Sequence, residues 1–452
     1  MSVAVVAQPR RSRPRNWWRV RMTLLCVPLA LLVISYVDAL TYPGRASVEV
    51  RTVDWVRDLG GGALVDAAEN WWYTQHAPST SAPTRMRSPL SATAAAAPTA
   101  VFTWPAPLPA IGRHAVAGEG RWTPGPLAVN AIPVMFQTFI RPDPSHPGVV
   151  AAVARFDQHL ITAQLIAGTS EPEARTAPGT GQVPPVRQAS LVATFNSGFK
   201  MADAQGGFYT QGRMVRPLRP GAASLVIDQP GRIQIDMWGR DVHLNPTVAA
   251  VRQNLALIVD HHRVVDGLDR NALRQWGDSG NQLQYTWRSA LGVDAAGFLY
   301  YVAGDQLTLG TLARALADTG AVRGMELDIH PQMVNMFLYH HPPHRTTLAD
   351  TRLMPAMSEP LDRYLTPDQR DFIALFQRTD QTQPARLPTG EPDTGRPDPA
   401  ANFVSATRRW EFTALLPTGF QLGTLGKPQS GPCAVHCPET KARHAGNSWR
   451  VH

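Results

Sequence analysis

The spacing of apolar residues changes period several times along this chain, and each change marks a segment. Met22 to Leu40 is apolar apart from Thr23, Ser35 and Asp38 near its ends and a single Pro28. Read as a helix, the run reaches about 28 Å, enough to cross a bilayer core. Between 48 and 75, Val53, Val56 and Leu59 precede Gly60-Gly-Gly62, and Leu64, Val65, Ala68, Trp71 and Trp72 follow it. That spacing predicts a juxtamembrane pair of short helices. Farther on, strand signals take over. Ala223 to Asp228 and Ile233 to Met237 flank a Pro230-Gly231 turn, and Ser289 to Asp294 and Phe298 to Val302 flank Ala-Ala-Gly297, so two hairpins are expected. A helix is expected from Thr311 to Thr319, with Leu312, Ala313, Leu316 and Ala317 as its stripe and Gly320 as its C-cap. The predicted class is α+β: a strand-rich mixed domain with hairpins and few helices, preceded by one transmembrane helix.

Along the chain this gives a basic cytoplasmic leader (1–21), the transmembrane helix (22–40), the helical pair (41–75), a Pro/Ala/Ser-rich spacer (76–110), the mixed domain (111–378) and a largely disordered tail (379–452). The spacer reading rests on extended-chain composition, and the tail reading on the lack of large apolar groups from 379 to 401. The leader carries Arg10, Arg11, Arg13, Arg15, Arg19 and Arg21 and no acidic residue. Positive residues stay inside, which predicts a single-pass protein of the cell membrane with its N-terminus cytoplasmic and its bulk extracellular. A cleaved signal peptide fits the same pattern, although Asp38-Ala-Leu-Thr-Tyr-Pro43 is a poor cleavage site.

Charge narrows the function less than it first suggests. The net charge is +8, but six of those charges are the leader arginines, which leaves +2 for the remainder. Nucleic acid is therefore not an expected partner. Of the three cysteines, Cys26 lies in the apolar run, and Cys433 and Cys437 bracket His436 closely enough for a small disulfide loop or a partial metal site.

The segment richest in chemistry is Arg323-Gly-Met-Glu-Leu-Asp-Ile-His330. As a strand it sends Met325, Leu327 and Ile329 to one face and Glu326, Asp328 and His330 to the other. The two carboxylates would stand about 6 to 7 Å apart along the backbone. With the imidazole they suit acid/base catalysis or a divalent metal, and the lesser alternative is a half-buried strand whose polar face is merely wet. Three other segments add candidates. Leu191-Val-Ala-Thr-Phe-Asn-Ser-Gly-Phe199 ends a buried run with the amide of Asn196 and with Gly198, which would allow close approach of a substrate, or would simply turn the chain. Gly206 to Gly212 with Arg213 and Arg216 would hold an anion, or serve as a plain surface loop. Arg288, opening a predicted strand, would pair with Glu326 or Asp328, or bind phosphate.

Taken in order, Asn196-Ser-Gly-Phe199, Arg288-Ser-Ala-Leu-Gly292, Thr308-Leu-Gly-Thr-Leu-Ala313 and Glu326-Leu-Asp328 resemble the blocks of the phosphodiester glycosidase family, whose uncovering enzyme removes N-acetylglucosamine from a phosphate-linked sugar. The resemblance spans about 185–345. Family blocks usually run Asn-Gly-Gly-Phe-Phe, Arg-x-Ala-x-Gly and Leu-Asp-Gly-Gly-Gly-Ser, and this chain keeps Asn196, Gly198, Phe199, Arg288, Ala290, Gly292, Leu327 and Asp328. It departs at Lys200, where the family has Phe, and at Ile329-His-Pro-Gln-Met333, which replaces the glycine loop. A His-Pro turn cannot present backbone amides as glycines do, so the side chains of Lys200 and His330 are expected to stand in.

The resemblance implies an outward-facing hydrolase cleaving the glycosidic bond of a sugar phosphodiester in envelope glycans. Arg288, aided by Arg216, would bind the phosphate, Glu326 or Asp328 would activate water or stabilise an oxocarbenium-like carbon, and His330 would donate a proton. Two other classes fit: a non-catalytic module binding anionic glycopolymers, and a phosphodiesterase whose divalent metal is held by Glu326, Asp328 and His330.

Overall fold

The computed structural model describes residues 17–42, 47–83, 85, 104–110, 115–126, 128–129, 132–172, 179–277, 280–340 and 349–378. The expectations for most of the leader, for much of the spacer and for the tail with Cys433 and Cys437 lie outside these residues. Among them are five helices: α1 (Trp17–Thr41), α2 (Val48–Val56), α3 (Gly62–Gln75), α4 (Met201–Ala204) and α5 (Leu309–Ala317). The rest is strand, loop and short 3-10 or π turns, so the described chain is strand-rich α+β. α1 is the one helix among the described residues long and apolar enough to cross a membrane.

Three antiparallel sheets form the body. The widest runs in the order Thr123–Pro124, Met135–Ile140, Ala151–Phe156, Leu299–Leu307, Thr286–Asp294, Ala321–Ile329, Leu257–Asp260 and Arg263–Val264. A second is ordered Ile233–Met237, Ala223–Asp228, Val248–Gln253, Phe208–Thr210 and Arg213–Arg216. The third is ordered Ala349–Arg352, Met336–His340, Leu191–Asn196, Phe372–Gln377 and Ile161–Ile166. All three bury one face in a shared core, to which Phe139, Leu291, Tyr301 and Met325 come from the first, Leu225, Ile227 and Ile235 from the second, and Phe195, Leu338 and Leu375 from the third. Removing this much apolar surface from water is the main stabilising term, and it fixes strand register because a one-residue slip would turn every core residue outward.

Both expected hairpins form, and the second is longer than its pattern suggested. Gly231 at φ 83° closes the first turn, with the Gly231 amide donating to the Asp228 carbonyl at 2.9 Å. The second pairs Thr286–Asp294 with Leu299–Leu307, because each strand has a further partner on its outer side that keeps both ends extended. α5 begins at Leu309, ahead of the expected Thr311. Thr308 is its N-cap, its hydroxyl accepting from the Thr311 amide while Thr311 Oγ1 accepts from the Thr308 amide. α5 then lays Leu309, Leu312, Ala313 and Leu316 on the outer face of the wide sheet, against Val153, Ala290 and Val302.

Candidate active site

Two groups of elements converge on one cavity of about 790 Å³. Its floor comes from a strand and the loops beside strand ends, through Asp328 and through Phe199, Lys200, His330, Met333 and Arg370; its wall comes from α2 and α3, through Val50, Val53, Asp54, Asp66 and Glu69.

Asp328 reaches the cavity because its strand is irregular. Ala290 faces Glu326 and Arg288 faces Ile329, so three steps on one strand answer two on the other. A bulge of this kind breaks strict alternation and re-aims side chains, and here Asp328 and Ile329 both border the cavity. One Asp328 oxygen accepts from the Ile329 amide at 2.9 Å, and the other accepts from Arg370 Nη2 at 3.1 Å. Burial pushes the Asp328 carboxyl up to about 6, with the Arg370 charge working against that rise. Arg370 also donates to the Gly198 carbonyl at 2.9 Å, and among the described residues its Nη1 meets only Met333 Sδ, at 3.6 Å. Arg370 thus borders the cavity while holding Asp328.

Glu326 has a different setting. Its Oε1 accepts from Arg288 Nη1 at 2.7 Å, with both side chains almost wholly buried. Arg288 further donates to the carbonyls of Leu307 at 2.8 Å and of Asn281. Burial raises the Glu326 carboxyl, and Arg288 opposes the rise. Neither residue borders the cavity, so the expected phosphate-binding role of Arg288 has no geometry here: its donors are taken up inside the fold.

His330 lies one residue past the strand, at φ 76°, outside the alternation that was expected to carry it. Its Nε2 stands 3.3 Å from Glu69 Oε2, its Nδ1 3.3 Å from Thr286 Oγ1, and its ring stacks on Tyr73 at 5.3 Å. Burial works against ionisation of Glu69, but the His330 contact and the Arg57 guanidinium outweigh it and hold that carboxyl below its usual value. Glu326, Asp328 and His330 therefore face three different partners and do not converge as a metal set. Among the described residues no three His, Cys, Asp or Glu side chains group as metal ligands.

The remaining candidates separate in the same way. The Asn196 amide is consumed inside, its Nδ2 donating to Ser289 Oγ at 2.9 Å and its Oδ1 accepting from Tyr301 Oη at 2.9 Å. Gly198 is approached by protein rather than left open, since a Cβ there would lie 3.0 Å from the Asn254 side chain and 3.2 Å from Arg252. Lys200 does line the cavity, where its Nζ meets Asp54 of α2 at 2.7 Å. Arg216 sits on the edge strand of the second sheet and does not border the cavity. Of the glycines before it, Gly206 and Gly207 lie in a loop and Gly212 in a turn, and the Gly207 amide is spent on Gln253 Oε1 at 2.9 Å.

Four residues that the pattern did not single out hold this arrangement. Asn254 Nδ2 donates to the carbonyls of Glu326 and Leu327 at 2.7 and 2.8 Å, while its Oδ1 accepts from the Phe199 amide at 3.2 Å. Arg252 pairs with Asp371 at 3.0 Å and donates to the Phe199 carbonyl. Arg370 is the fourth. The available signal for Arg370 and Asp371 was Asp368-Gln-Arg-Asp371, three charges in four residues directly before the fully apolar Phe372 to Phe376; charges abutting a buried run need built partners.

No family model matches the chain, and no curated protein matches it. Among solved structures, the catalytic domain of zebrafish N-acetylglucosamine-1-phosphodiester alpha-N-acetylglucosaminidase, auto-inhibited by its pro-peptide, aligns at 14% identity and a TM-score of 0.37, over 54% of this chain and 84% of that one. A hypothetical protein from Synechocystis aligns at 14% identity and 0.30, over 54% of this chain and 62% of that one. An exported protein of Burkholderia pseudomallei aligns at 11% and 0.26, over 53% and 76%. These are weak structural neighbours, and the chemistry below rests on the cavity itself.

Proposed function

We propose that the chain is a membrane-anchored, outward-facing hydrolase that cleaves a sugar phosphodiester between the anomeric carbon and the phosphate oxygen. The observation that carries this reading is the Asp328–Arg370 pair at the base of the cavity: a carboxyl pushed up to about 6 beside a guanidinium that lines the same cavity. Arg370 binds the phosphate and steadies its charge as it leaves, the role first given to Arg288. Asp328 in its ionised form takes a proton from water as that water attacks the anomeric carbon. The carbon–oxygen bond breaks and its electron pair departs with the phosphate monoester, a good enough leaving group to need little protonation. Lys200 and His330 border the same space and complete the polar surface around the sugar. Glu326 and Arg288 support the strand from beneath. α1 supplies the anchor, and the arginines before it set the orientation.

Release of free sugar from a panel of sugar-1-phosphodiesters by the full chain tests this. Asp328→Asn is expected to reduce turnover by about 10²- to 10⁴-fold. Unchanged turnover in that variant ends the assignment, and saturable binding of anionic glycan with no product points to a binding module instead.

A further inference from the structure

α3 is amphipathic the wrong way round for a helix that merely packs on its domain. Its polar face is turned inward: Asp66 and Glu69 pair with Arg57 at 2.8 and 2.9 Å, Asn70 accepts from Gln284, and Tyr73 stacks on His330. Its outward face is Ala63, Leu64, Ala67, Ala68, Trp71 and Trp72, at positions three and four apart, with no charged residue among them. Leu64 is 76% exposed, Trp71 63% and Trp72 52%. Leu59, in the turn between α2 and α3, and Leu283, in the loop touching Asn70, are also more than half exposed. An uncharged outward stripe with paired tryptophans is what a helix lying in a lipid interface presents, since indole rings settle at headgroup depth.

The link between α2 and α1 argues for the occupant of this face. α2 is joined to the end of α1 by the Tyr36 hydroxyl at 3.0 Å from Thr52 Oγ1, by Trp55 Nε1 donating to Ser35 Oγ at 3.1 Å, and by Arg51 capping the carbonyls of Ala39, Leu40 and Tyr42. Ser35 lies about 9 Å before the end of α1, at a rise of 1.5 Å per residue. α2 is thereby held at the level of the last turns of that helix, and α3 follows directly from it.

We infer that the outward face of α3 rests on the outer surface of the bilayer that α1 crosses, so that the cavity walled by α2 and α3 opens beside the lipid headgroups. This rests on reading α1 as a membrane anchor. The test uses the full chain in phosphatidylcholine vesicles whose acyl chains are brominated near the headgroup, comparing the native protein with Trp71→Phe/Trp72→Phe. The brominated lipid is expected to quench the native protein more, by the share of two of its twelve tryptophans, and aqueous acrylamide is expected to quench both proteins alike. Equal bromine quenching with greater acrylamide quenching of the native protein places the face in water and overturns the inference. Equal quenching by both agents, together with a dimer that Leu64→Asp dissolves, gives the face to a second copy and also overturns it. Alkaline carbonate extraction is run in parallel. Release of the chain from the vesicles removes the anchor, and the inference with it, whereas retention with unquenched Trp71 and Trp72 removes the inference alone.

Discussion

Glu326 and Asp328 stand two positions apart on one strand, and their surroundings give them different work. Glu326 is locked to Arg288 in a dry interior, where removing one partner leaves an unpaired buried charge; Glu326→Ala is expected to destabilise the fold by about 3–5 kcal/mol, read from chemical denaturation. Asp328 borders the cavity, so its substitution should fall chiefly on turnover. Its carboxyl sits near 6, and a base works ionised, so kcat/KM should rise with pH through about 6 and level off above it. A rate that instead falls through the same pH would make Asp328 the acid. Lys200, Asp328 and His330 were legible in the sequence because each departs from, or repeats, a patterned block. Arg370 was not, because alternation tells which residues share a face and not which arginine folds back from 42 positions away. Arg288 opens a strand, where a phosphate ligand is expected, but its donors are spent on Glu326, Leu307 and Asn281 inside the fold.

At the scale of elements, turn chemistry and period were enough to find both hairpins, since Pro230-Gly231 and Gly297 mark reversals that few other residues allow. The start of α5 was misplaced because its capping box ends in Thr311 where a Glu or Gln is the usual signal. The bulge at Glu326 to Ile329 left no trace in the sequence, since an extra residue in a strand reads like any other. Gly292 and Gly324 face each other across neighbouring strands and together make the hollow that takes Leu316 of α5. A Cβ at Gly292 would lie 2.9 Å from Ala321 Cβ and 3.0 Å from both the Arg323 carbonyl oxygen and Leu316 Cδ1. Gly292→Ala should therefore cost about 1–3 kcal/mol through overpacking, visible as a lowered Tm.

For the whole molecule, the helical stripe of 48–75 was readable but the direction it faces was not, because periodicity does not say which side of a helix meets the protein. If the cavity opens beside the headgroups, a sugar phosphodiester carrying an alkyl tail in the same vesicle should show a lower apparent KM than its water-soluble counterpart. Trp71→Gln/Trp72→Gln should narrow that gap while leaving kcat on the soluble substrate in place, a split that steady-state kinetics resolves. The capped joint between α1 and α2 carries a further consequence. A helix advances by about 100° per residue, so one residue inserted in α1 beyond its middle and before Ser35 would rotate everything after it by that angle relative to the segment below. With Arg51, Thr52 and Trp55 clasping the helix end, the twist has no slack in which to dissipate. If α1 is the anchor proposed above, its length acts as an angular setting, and the azimuth of the cavity about the membrane normal follows from the count of apolar residues below it.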